Sequence, residues 1–338
     1  MSIEKPSVDY SIVICTYNPD ERLLNRCLTA VINLEKTDIT FEVILVDNNS
    51  AKPVEQLACV QASINKLKNF CILHVTKQGV GHSRMAAIKK ASGNYIVYFD
   101  YDNEPQCDYL LELKKLNNQY PEVAACGPGN IWVDFIDGID RNIESYARTA
   151  FQEKHIPRFS FSNIKEWQDI YPFGTGLCTK SSLLREYVEE VNIGKYTMPG
   201  RTGNKLIGGE DTQMVLHCLR KGYFAGSSPS LNLKHIIPAN RANISYLKRL
   251  IYNTSLDYHT CLLQVFPEQK ENLETSCMSE AKFSRRSLKK FLRVMFASDQ
   301  TKIFDFIRFI GINEGLYKAI EKPVPRLVHK IVSFLKLA

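Results

Sequence analysis

The first hundred residues alternate four times between a short apolar strand and a helical pattern, which restricts the chain to a small set of folds. The predicted strands are residues 9–17, 41–46, 71–75 and 95–99. The first contains Ile12, Val13 and Ile14 in one continuous run, which is typical of parallel strands buried on both faces. The alternation therefore predicts an α/β fold with a mostly parallel, Rossmann-like sheet flanked by helices.

Composition supports a globular chain and excludes several classes of protein. Of the 338 residues, 44% are hydrophobic and 23% charged, too apolar for a disordered chain. No run of about 20 apolar residues occurs, which excludes a multipass membrane protein. The start has no signal-peptide pattern, and the ten cysteines form no CxxC pair. We therefore expect a cytoplasmic protein whose cysteines are reduced.

The net charge of +7 is concentrated in the last sixth of the chain. Residues 281–338 hold 13 Lys and Arg against 4 Asp and Glu, so a near-neutral body carries a basic tail. Within it, Leu288, Phe291, Leu292 and Met295 follow a helical period opposite basic residues. This pattern predicts peripheral attachment to an anionic membrane surface, at the inner face of the plasma membrane.

Two alternatives remain for the basic tail. It is also compatible with a helical cap on the catalytic domain whose basic face is solvated. Nucleic-acid binding is disfavoured, because no recognition motif or aromatic platform accompanies the charge.

Polar residues follow three of the predicted strands, where open parallel sheets bind ligands. The three clusters are residues 16–18, 47–50 and 100–103. Asp, Asn and Ser are also common turn formers, which is the alternative for any single cluster. Three clusters at successive strand ends favour a binding site.

The last of these clusters places two carboxylates two residues apart, at Asp100 and Asp102. Alternate residues of an extended chain point the same way, so both carboxylates are expected to face one cation. Hard divalent ions take carboxylate and phosphate oxygens together, so such an ion could neutralise a diphosphate. A lone DxD pattern is nevertheless a weak motif.

Three further positions are chemical candidates with structural alternatives. Arg84 follows a glycine-rich helix start that does not match a dinucleotide fingerprint, and it either reaches an anionic ligand or is a solvated helix charge. Asp211 follows two glycines and is either a general base or a helix N-cap. His235 ends a predicted strand, six residues before Arg241.

In order, these motifs resemble those of family two of the inverting nucleotide-diphospho-sugar glycosyltransferases, which have the GT-A fold. The resembling segments are SIVICTYNPDERLLNRCLTAV with FEVILVDNNS, GVGHSRMAAIKKASGNYIVYFDYDNEP, GTGLCTKSSLL, GGEDTQMVLHCLRKGY and HIIPANR. They span residues 10–241. Each segment is modest alone, but their shared order is specific.

The resemblance implies a nucleotide site and a metal site. The nucleotide is expected to contact Thr16, Tyr17, Asn18, Asp47, Arg84 and Asp100. Asp47 is expected to accept a uracil-type N–H, which favours a UDP-sugar donor. The metal, Mn²⁺ or Mg²⁺, is expected to bind Asp102, Asp100 and His235.

The resemblance also implies the catalytic residues, the substrate contacts and the reaction. Asp211 is the expected catalytic base, with Glu210 beside it. Donor or acceptor contacts are expected at Gly176, Gly209 and Arg241. The implied reaction transfers a sugar, with inversion, to a hydroxyl of a glycan or lipid-linked acceptor in cell-surface polysaccharide or lipopolysaccharide synthesis.

The chain departs from the family pattern at two points. Tyr101 replaces the middle aspartate of the DxD segment, and the QxxRW motif of processive synthases is absent. We therefore expect single additions of sugar rather than polymerisation.

Two other functions remain open, and a domain division is expected. A nucleotidyltransferase would need a glycine-rich loop after the first strand, and residues 16–19 contain no glycine. A non-catalytic nucleotide-sugar- or membrane-binding protein is disfavoured by the retained carboxylates. The catalytic domain is expected at 1–242, with a nucleotide part to about 103 and an acceptor part from about 104. A helical C-terminal region is expected at 243–338.

Overall fold

The structure is a computed structural model that describes residues 8–197, 206, 208–297, 299 and 301–337. Its strands are β1 Val8–Thr16, β2 Phe41–Asp47, β3 Phe70–His74, β4 Gly93–Asp100, β5 Asn103–Pro105, β6 Val123–Phe135, β7 Lys154–His155, β8 Ser160–Ser162, β9 Cys178–Lys180 and β10 Phe224–Ile237. Its helices are α1 Glu21–Ile32, α2 Ala58–Ile64, α3 Val80–Lys90, α4 Tyr109–Gln119, α5 Arg141–Ala150, α6 Ser181–Asn192, α7 Glu210–Arg220, α8 Ile244–Leu256, α9 Tyr258–Val265, α10 Lys270–Ser276, α11 Glu280–Met295, α12 Lys302–Ala319 and α13 Arg326–Phe334. Short 3-10 turns lie at Val54–Gln56 and Pro267–Gln269.

The chain divides into two compact units. Unit 1 comprises Met1–Asp134, Gln152–Thr197 and Met214–Ile236. Unit 2 comprises Phe135–Phe151, Met198–Gln213 and Ile237–Ala338. The expected boundary near residue 242 stays a prediction.

Unit 1 is built on a sheet with a parallel and an antiparallel half. The strand order is β3-β2-β1-β4-β9-β6-β10-β5, with β7 beside β6 and β8 beside β10. Strands β3, β2, β1 and β4 pair in parallel, with Thr16 opposite Asp47 and Cys15 opposite Asp100. This register brings the carboxyl ends of β1, β2 and β4 to one edge, so their terminal polar residues are neighbours.

The antiparallel half extends the sheet from β4. Strand β9 pairs antiparallel with both β4 and β6, and β10 pairs antiparallel with β5 and β8. The β5–β10 register sets His235 opposite Asn103, directly after the DxD segment.

The core of unit 1 lies between the sheet and its helices. In α1, Leu24, Cys27, Leu28 and Val31 are fully buried at the helical spacing that the sequence predicts. They pack in one cluster with strand residues such as Ile12. The sheet with its flanking helices confirms the predicted α/β class.

Unit 2 is mostly helical in its described part. Helix α12 packs on α8 through Gly315, where an added Cβ would collide with the Leu256 carbonyl. Tyr252 of α8 donates a 2.8 Å hydrogen bond from its hydroxyl to the buried Glu314 carboxylate of α12. A glycine contact and a buried polar pair therefore fix this helix pair.

No helix in the described ranges is both long and apolar enough to cross a membrane.

Strand β9, Cys178–Lys180, is short because the chain turns just before it, at Gly176, with φ +72°. On α11 the buried side chains are Phe283 and Ser287, whereas Leu288, Leu292 and Met295 are 42–48% exposed. Phe291 of the same predicted apolar face is half-buried, so most of that face is exposed, and its attachment to a membrane surface stays a prediction.

Candidate active site

The DxD segment lies in a turn, which corrects the expectation of an extended chain. Strand β4 ends at Asp100, and Tyr101 and Asp102 form the turn that leads into β5. The two carboxylates consequently differ: the Asp100 side chain is 37% exposed, whereas that of Asp102 is 4% exposed. They do not face the same side of an extended strand.

The Asp102 carboxylate is buried beside an imidazole and an amide. Its Oδ2 lies 3.7 Å from His235 Nε2, and its Oδ1 accepts a 3.0 Å hydrogen bond from Asn103 Nδ2. The Asn103 Oδ1 in turn accepts a 3.0 Å hydrogen bond from the Asp100 backbone N–H. The Ile236 N–H donates to the Asp102 carbonyl at 2.8 Å. Carboxylate oxygen and imidazole nitrogen meet here in a buried site, a donor set that fits a divalent ion such as Mn²⁺.

Asp100 is paired with a buried arginine. Arg84, on α3, is 4% exposed, so the solvated-charge alternative is wrong. Its Nη2 lies 3.6 Å from Asp100 Oδ1, and its guanidinium carbon lies 5.1 Å from the centre of the Tyr98 ring. A buried guanidinium at a sheet edge is suited to anionic groups such as phosphates.

The ends of β1 and β2 are joined by a hydrogen-bonded turn. The Thr16 carbonyl accepts from the Asn48 N–H at 2.9 Å, and the Asp47 carboxylate accepts from the N–H groups of Ser50 and Val54 at 3.0 and 3.3 Å. Thr16 and Asp47 are each 3% exposed. The turn-forming alternative therefore applies to this cluster, and its role in ligand binding stays a prediction.

Asn18 and Tyr17 complete this edge. Asn18 has φ +44°, donates its N–H to Ser50 Oγ at 2.9 Å, and accepts from the Ala51 N–H at 2.8 Å. Tyr17 is 40% exposed, so its ring is available to stack on a flat ligand.

A second group with metal-ligand chemistry lies beside Asp47. Ligand atoms of Asp47, Glu55 and His74 lie within 4.8 Å of one another, the one such triplet in the part of the chain that the structure describes. Both Asp47 oxygens already accept backbone N–H groups, and the His74 side chain is 53% exposed. The turn accounts for this group without an ion.

Gly176 is required by its backbone. It has φ +72°, and an added Cβ would lie 2.6 Å from the Tyr109 hydroxyl oxygen. The same hydroxyl donates to the Gly176 carbonyl at 2.7 Å. The expected contact between Gly176 and a substrate stays a prediction.

In unit 2, a glycine pair leads into the first turn of α7. Gly209 has φ +107°, a conformation that favours glycine, and its carbonyl accepts the Gln213 N–H at 2.8 Å. The helix begins at Glu210, so Asp211 is its second residue and the N-cap alternative is wrong. Glu210 is buried, and Asp211 is half-buried.

A third carboxylate lies beside this segment. Asp257, just before α9, accepts the Gly208 N–H at 3.0 Å on its Oδ2. Burial raises its pKa from 3.8 to about 7, and the nearby Glu210 charge adds to the rise while Lys318 opposes it. Arg241 lies elsewhere in unit 2, in a turn closed by its N–H on the Pro238 carbonyl.

Sequence reasoning missed three residues that hold these groups in place. Asn103 bridges Asp100 and Asp102, and Asn48 donates its amide to the carbonyls of Val75 and Lys77. Each directly follows an aspartate of a polar cluster at a strand end, Asn48 after Asp47 and Asn103 after Asp102, which is a usable local signal. Asp257 carries no such signal, because its partner Gly208 is 49 residues away.

Comparisons with known proteins give the family. The sequence profile of glycosyl transferase family 2 matches residues 11–188. A Methanocaldococcus jannaschii protein described as an uncharacterised glycosyltransferase is 27% identical over 261 residues, 76% of this chain and 79% of that protein. The poly(ribitol-phosphate) beta-glucosyltransferase of Bacillus spizizenii is 33% identical over 103 residues, 30% of this chain and 16% of that protein.

Among solved structures, residues 1–349 of S. aureus TarS are similar with a TM-score of 0.47 and 15% identity, over 92% of this chain and 91% of that one. The argument for the family comes from the profile, which covers more than half of the sequence. The chain belongs to glycosyltransferase family 2.

Proposed function

We propose that this glycosyltransferase is metal-dependent and inverting, and that it transfers a sugar from a UDP-sugar to a hydroxyl of a glycan or lipid-linked acceptor. The observation that carries the proposal is the buried group of Asp102, Asn103 and His235 at the end of β4 and β10. Burial of a carboxylate costs free energy of desolvation, which a bound cation would offset, and this supports a metal site at Asp102.

The donor is expected to bind along the strand ends of unit 1. Asp47 is fixed by two backbone N–H groups and keeps lone pairs for a uracil N–H, while Tyr17 offers a ring face. Arg84 lies on the diphosphate side, next to Asp100. Asp102 and His235 would hold Mn²⁺ or Mg²⁺, which when bound offsets the charge that develops on the leaving diphosphate.

In the proposed reaction the acceptor oxygen attacks the sugar C1 from the face opposite the diphosphate. The new C1–O bond forms as the C1–O bond to phosphate breaks, and the bonding pair leaves with the diphosphate. Asp211 takes the acceptor proton on its carboxylate, which contributes about 10²–10⁴-fold to the rate. A single displacement inverts the anomeric configuration.

For the acceptor we propose a cell-surface glycan. The Bacillus spizizenii relative is named for glucosyl transfer to poly(ribitol phosphate), which supports a cell-surface glycan. A nucleotidyltransferase is disfavoured, because the loop after β1 contains no glycine to cradle a triphosphate.

Stereochemistry tests the reaction without knowledge of the acceptor, because water can replace the hydroxyl. The chain is incubated with Mn²⁺ and UDP-glucose, UDP-galactose or UDP-GlcNAc in turn, and the released sugar is followed by proton NMR before it mutarotates. We expect the β-anomer first from an α-linked donor. Initial release of the α-anomer would contradict inversion, and no release from any UDP-sugar would count against the donor class.

The basic C-terminal helices support a second part of the proposal, attachment to an anionic membrane surface. Exposed apolar side chains form a strip along α11 and at the end of α13: Leu288, Leu292, Met295, Phe296 and Phe334. Phe291 and Phe334 are 5.6 Å apart between ring centres, which joins the two helices at this strip. Lys289, Lys290 and Arg293 lie exposed on the same helix. An exposed apolar strip flanked by cations suits the headgroup region of an anionic bilayer.

Vesicle flotation tests the attachment. The full chain is mixed with vesicles of phosphatidylcholine alone or with phosphatidylglycerol, and compared with a Leu292→Glu, Met295→Glu double variant. We expect flotation only with the anionic lipid, and loss of most of it in the double variant. An Ile193→Ser variant, which removes a 74% exposed apolar side chain of unit 1, is the matched control. Equal flotation of the wild type and the double variant would rule the strip out.

A further inference from the structure

One face of α9 carries three polar side chains at helical spacing. Asp257, Cys261 and Gln264 lie at positions i, i+4 and i+7, which places them in a row on the same side. Asp257 is the residue directly before the helix, and Cys261 is fully buried.

Each of these three side chains contacts residues 208–213, which comprise the glycine pair and the first turn of α7. Asp257 Oδ2 accepts the Gly208 N–H at 3.0 Å, and Cys261 Sγ donates to the Gly209 carbonyl at 3.3 Å. One turn further on, Gln264 Oε1 accepts from Gln213 Nε2 at 2.7 Å. The row on α9 therefore runs parallel to residues 208–213 and holds both their backbone and a side chain.

These contacts bury polar and ionisable side chains, which costs free energy of desolvation. Gln213 is fully buried, and burial of Asp257 disfavours its charged form, as its raised pKa records. An apolar helix face would pack against the segment with no such cost. Directional hydrogen bonds from a polar row are therefore expected where residues 208–213 must keep one conformation.

Residues 208–213 need contacts from other elements to keep one conformation, because they begin with two successive glycines. Two successive glycines have the largest backbone freedom, and the space around Gly208 is open within 4 Å. The general base that the proposed function requires, Asp211, follows two residues after Gly209. A displacement of about 1 Å at a catalytic group can cost about 10²-fold in rate.

We propose that Asp257, Cys261 and Gln264 are positioning residues that hold the glycine pair and the first turn of α7, and so aim the Asp211 carboxylate at the acceptor hydroxyl. This inference rests on the proposed function for the role of Asp211. The restraint of residues 208–213 depends only on contacts within unit 2, whatever the role of Asp211.

Substitution of Asp257 by asparagine or by alanine distinguishes the effect of its hydrogen bond from the effect of its charge. In Asp257→Asn the amide oxygen still accepts the Gly208 N–H, whereas Asp257→Ala removes the acceptor. Hydrogen–deuterium exchange of peptides covering 206–213 reports the hold directly. Release of UDP from the UDP-sugar that the wild type hydrolyses fastest reports kcat and KM.

We expect Asp257→Ala to speed exchange in 206–213 about tenfold, the factor that one lost hydrogen bond can produce. Its kcat should fall about 10- to 100-fold, while KM for the UDP-sugar stays within about twofold. Asp257→Asn should restore both values to near wild type. Wild-type exchange and kcat in Asp257→Ala would overturn the proposal, as would an Asn variant as impaired as the Ala variant.

Further variants keep the test decisive. If Asp257→Ala does not fold, Gln264→Ala removes a contact at the edge of the row and should give the same changes to a smaller degree. His259→Ala, on the opposite side of α9, is the control and should leave exchange in 206–213 unchanged. If Asp257→Ala loosens the segment while Asp211→Asn keeps full turnover, the hold stands and the role of Asp211 fails.

Discussion

The two units fix their candidate functional carboxylates in different ways. In unit 1, Asp102 and Asn103 lie where β4 turns into β5, and the pairing of β5 with β10 sets His235 opposite Asn103. In unit 2, Asp211 follows a glycine pair whose described external contacts come from side chains of α9. The first site is held by backbone pairing, and the second by three side chains.

This difference determines how each site responds to substitution. A side-chain change at Asp102 removes a proposed metal ligand but leaves the strand pairing that positions its neighbours. A change at Asp257 leaves the proposed catalytic carboxylate, Asp211, intact and is expected to alter its position. We therefore expect substitutions in unit 1 to affect binding, and substitutions around the glycine pair to affect turnover.

The largest expected effect is that of Asp211→Asn, which removes the proposed proton acceptor and keeps the size of the side chain. Turnover of a UDP-sugar should fall about 10²–10⁴-fold. Binding of UDP should stay within about twofold of wild type by calorimetry, because the nucleotide contacts are proposed for unit 1. Glu321→Gln, an exposed carboxylate-to-amide change in unit 2, is the control. A large loss of UDP binding in Asp211→Asn would break the division between binding and turnover.

A smaller effect is expected from Gly209→Ala. Its φ of +107° is unfavourable for alanine by about 1–3 kcal/mol, so the backbone before α7 should shift. We expect turnover to fall about tenfold. Gly222→Ala provides a matched change just beyond the other end of α7, at φ +85° with open space around it. It should lower the melting temperature similarly and leave turnover unchanged; equal kinetic effects of the two would show that strain alone is responsible.

The smallest effect concerns stability and pH. The folded-state pKa of Asp257 is raised from 3.8 to about 7, so between these values the folded chain binds one more proton than the unfolded chain. Its contribution to the free energy of unfolding therefore falls as pH rises from about 4 to about 7, and then levels off. Asp257→Asn lacks this term, so we expect its melting temperature, relative to that of the wild type, to rise by about 2–4 °C between pH 5 and pH 8. The same difference at both pH values would contradict burial of the charge.

Much of unit 1 could be predicted because its signals are local. Continuous apolar runs identified β1, β2 and β4, and strand-terminal polar residues identified Asp47 and Asp100. The antiparallel strands were harder, since β9 has three residues and β5 follows the DxD turn without an apolar run of its own. Arg84 was found as a candidate, but its burial over Tyr98 depends on packing that no spacing reveals.

The contacts around Asp211 were beyond sequence reasoning for a physical reason. The segment 208–213 is held by residues about 50 positions later, and no periodicity links a glycine N–H to a distant carboxylate. On α11 the period was predicted correctly, but the period alone does not say which apolar side chains pack on the protein. Phe283 and Ser287 are buried there, Phe291 is half-buried, and Leu288, Leu292 and Met295 are exposed.

The most direct test of the central claim is calorimetric titration with UDP, dTDP, GDP and CMP, each with Mn²⁺ and with a chelator. The wild type, Asp102→Asn and the exposed control Asp38→Asn are compared. The account predicts that UDP binds only with Mn²⁺, that Asp102→Asn loses this binding, and that Asp38→Asn keeps it. Binding that is indifferent to Mn²⁺ and to Asp102, or no binding of any nucleotide by the folded chain, would contradict the account.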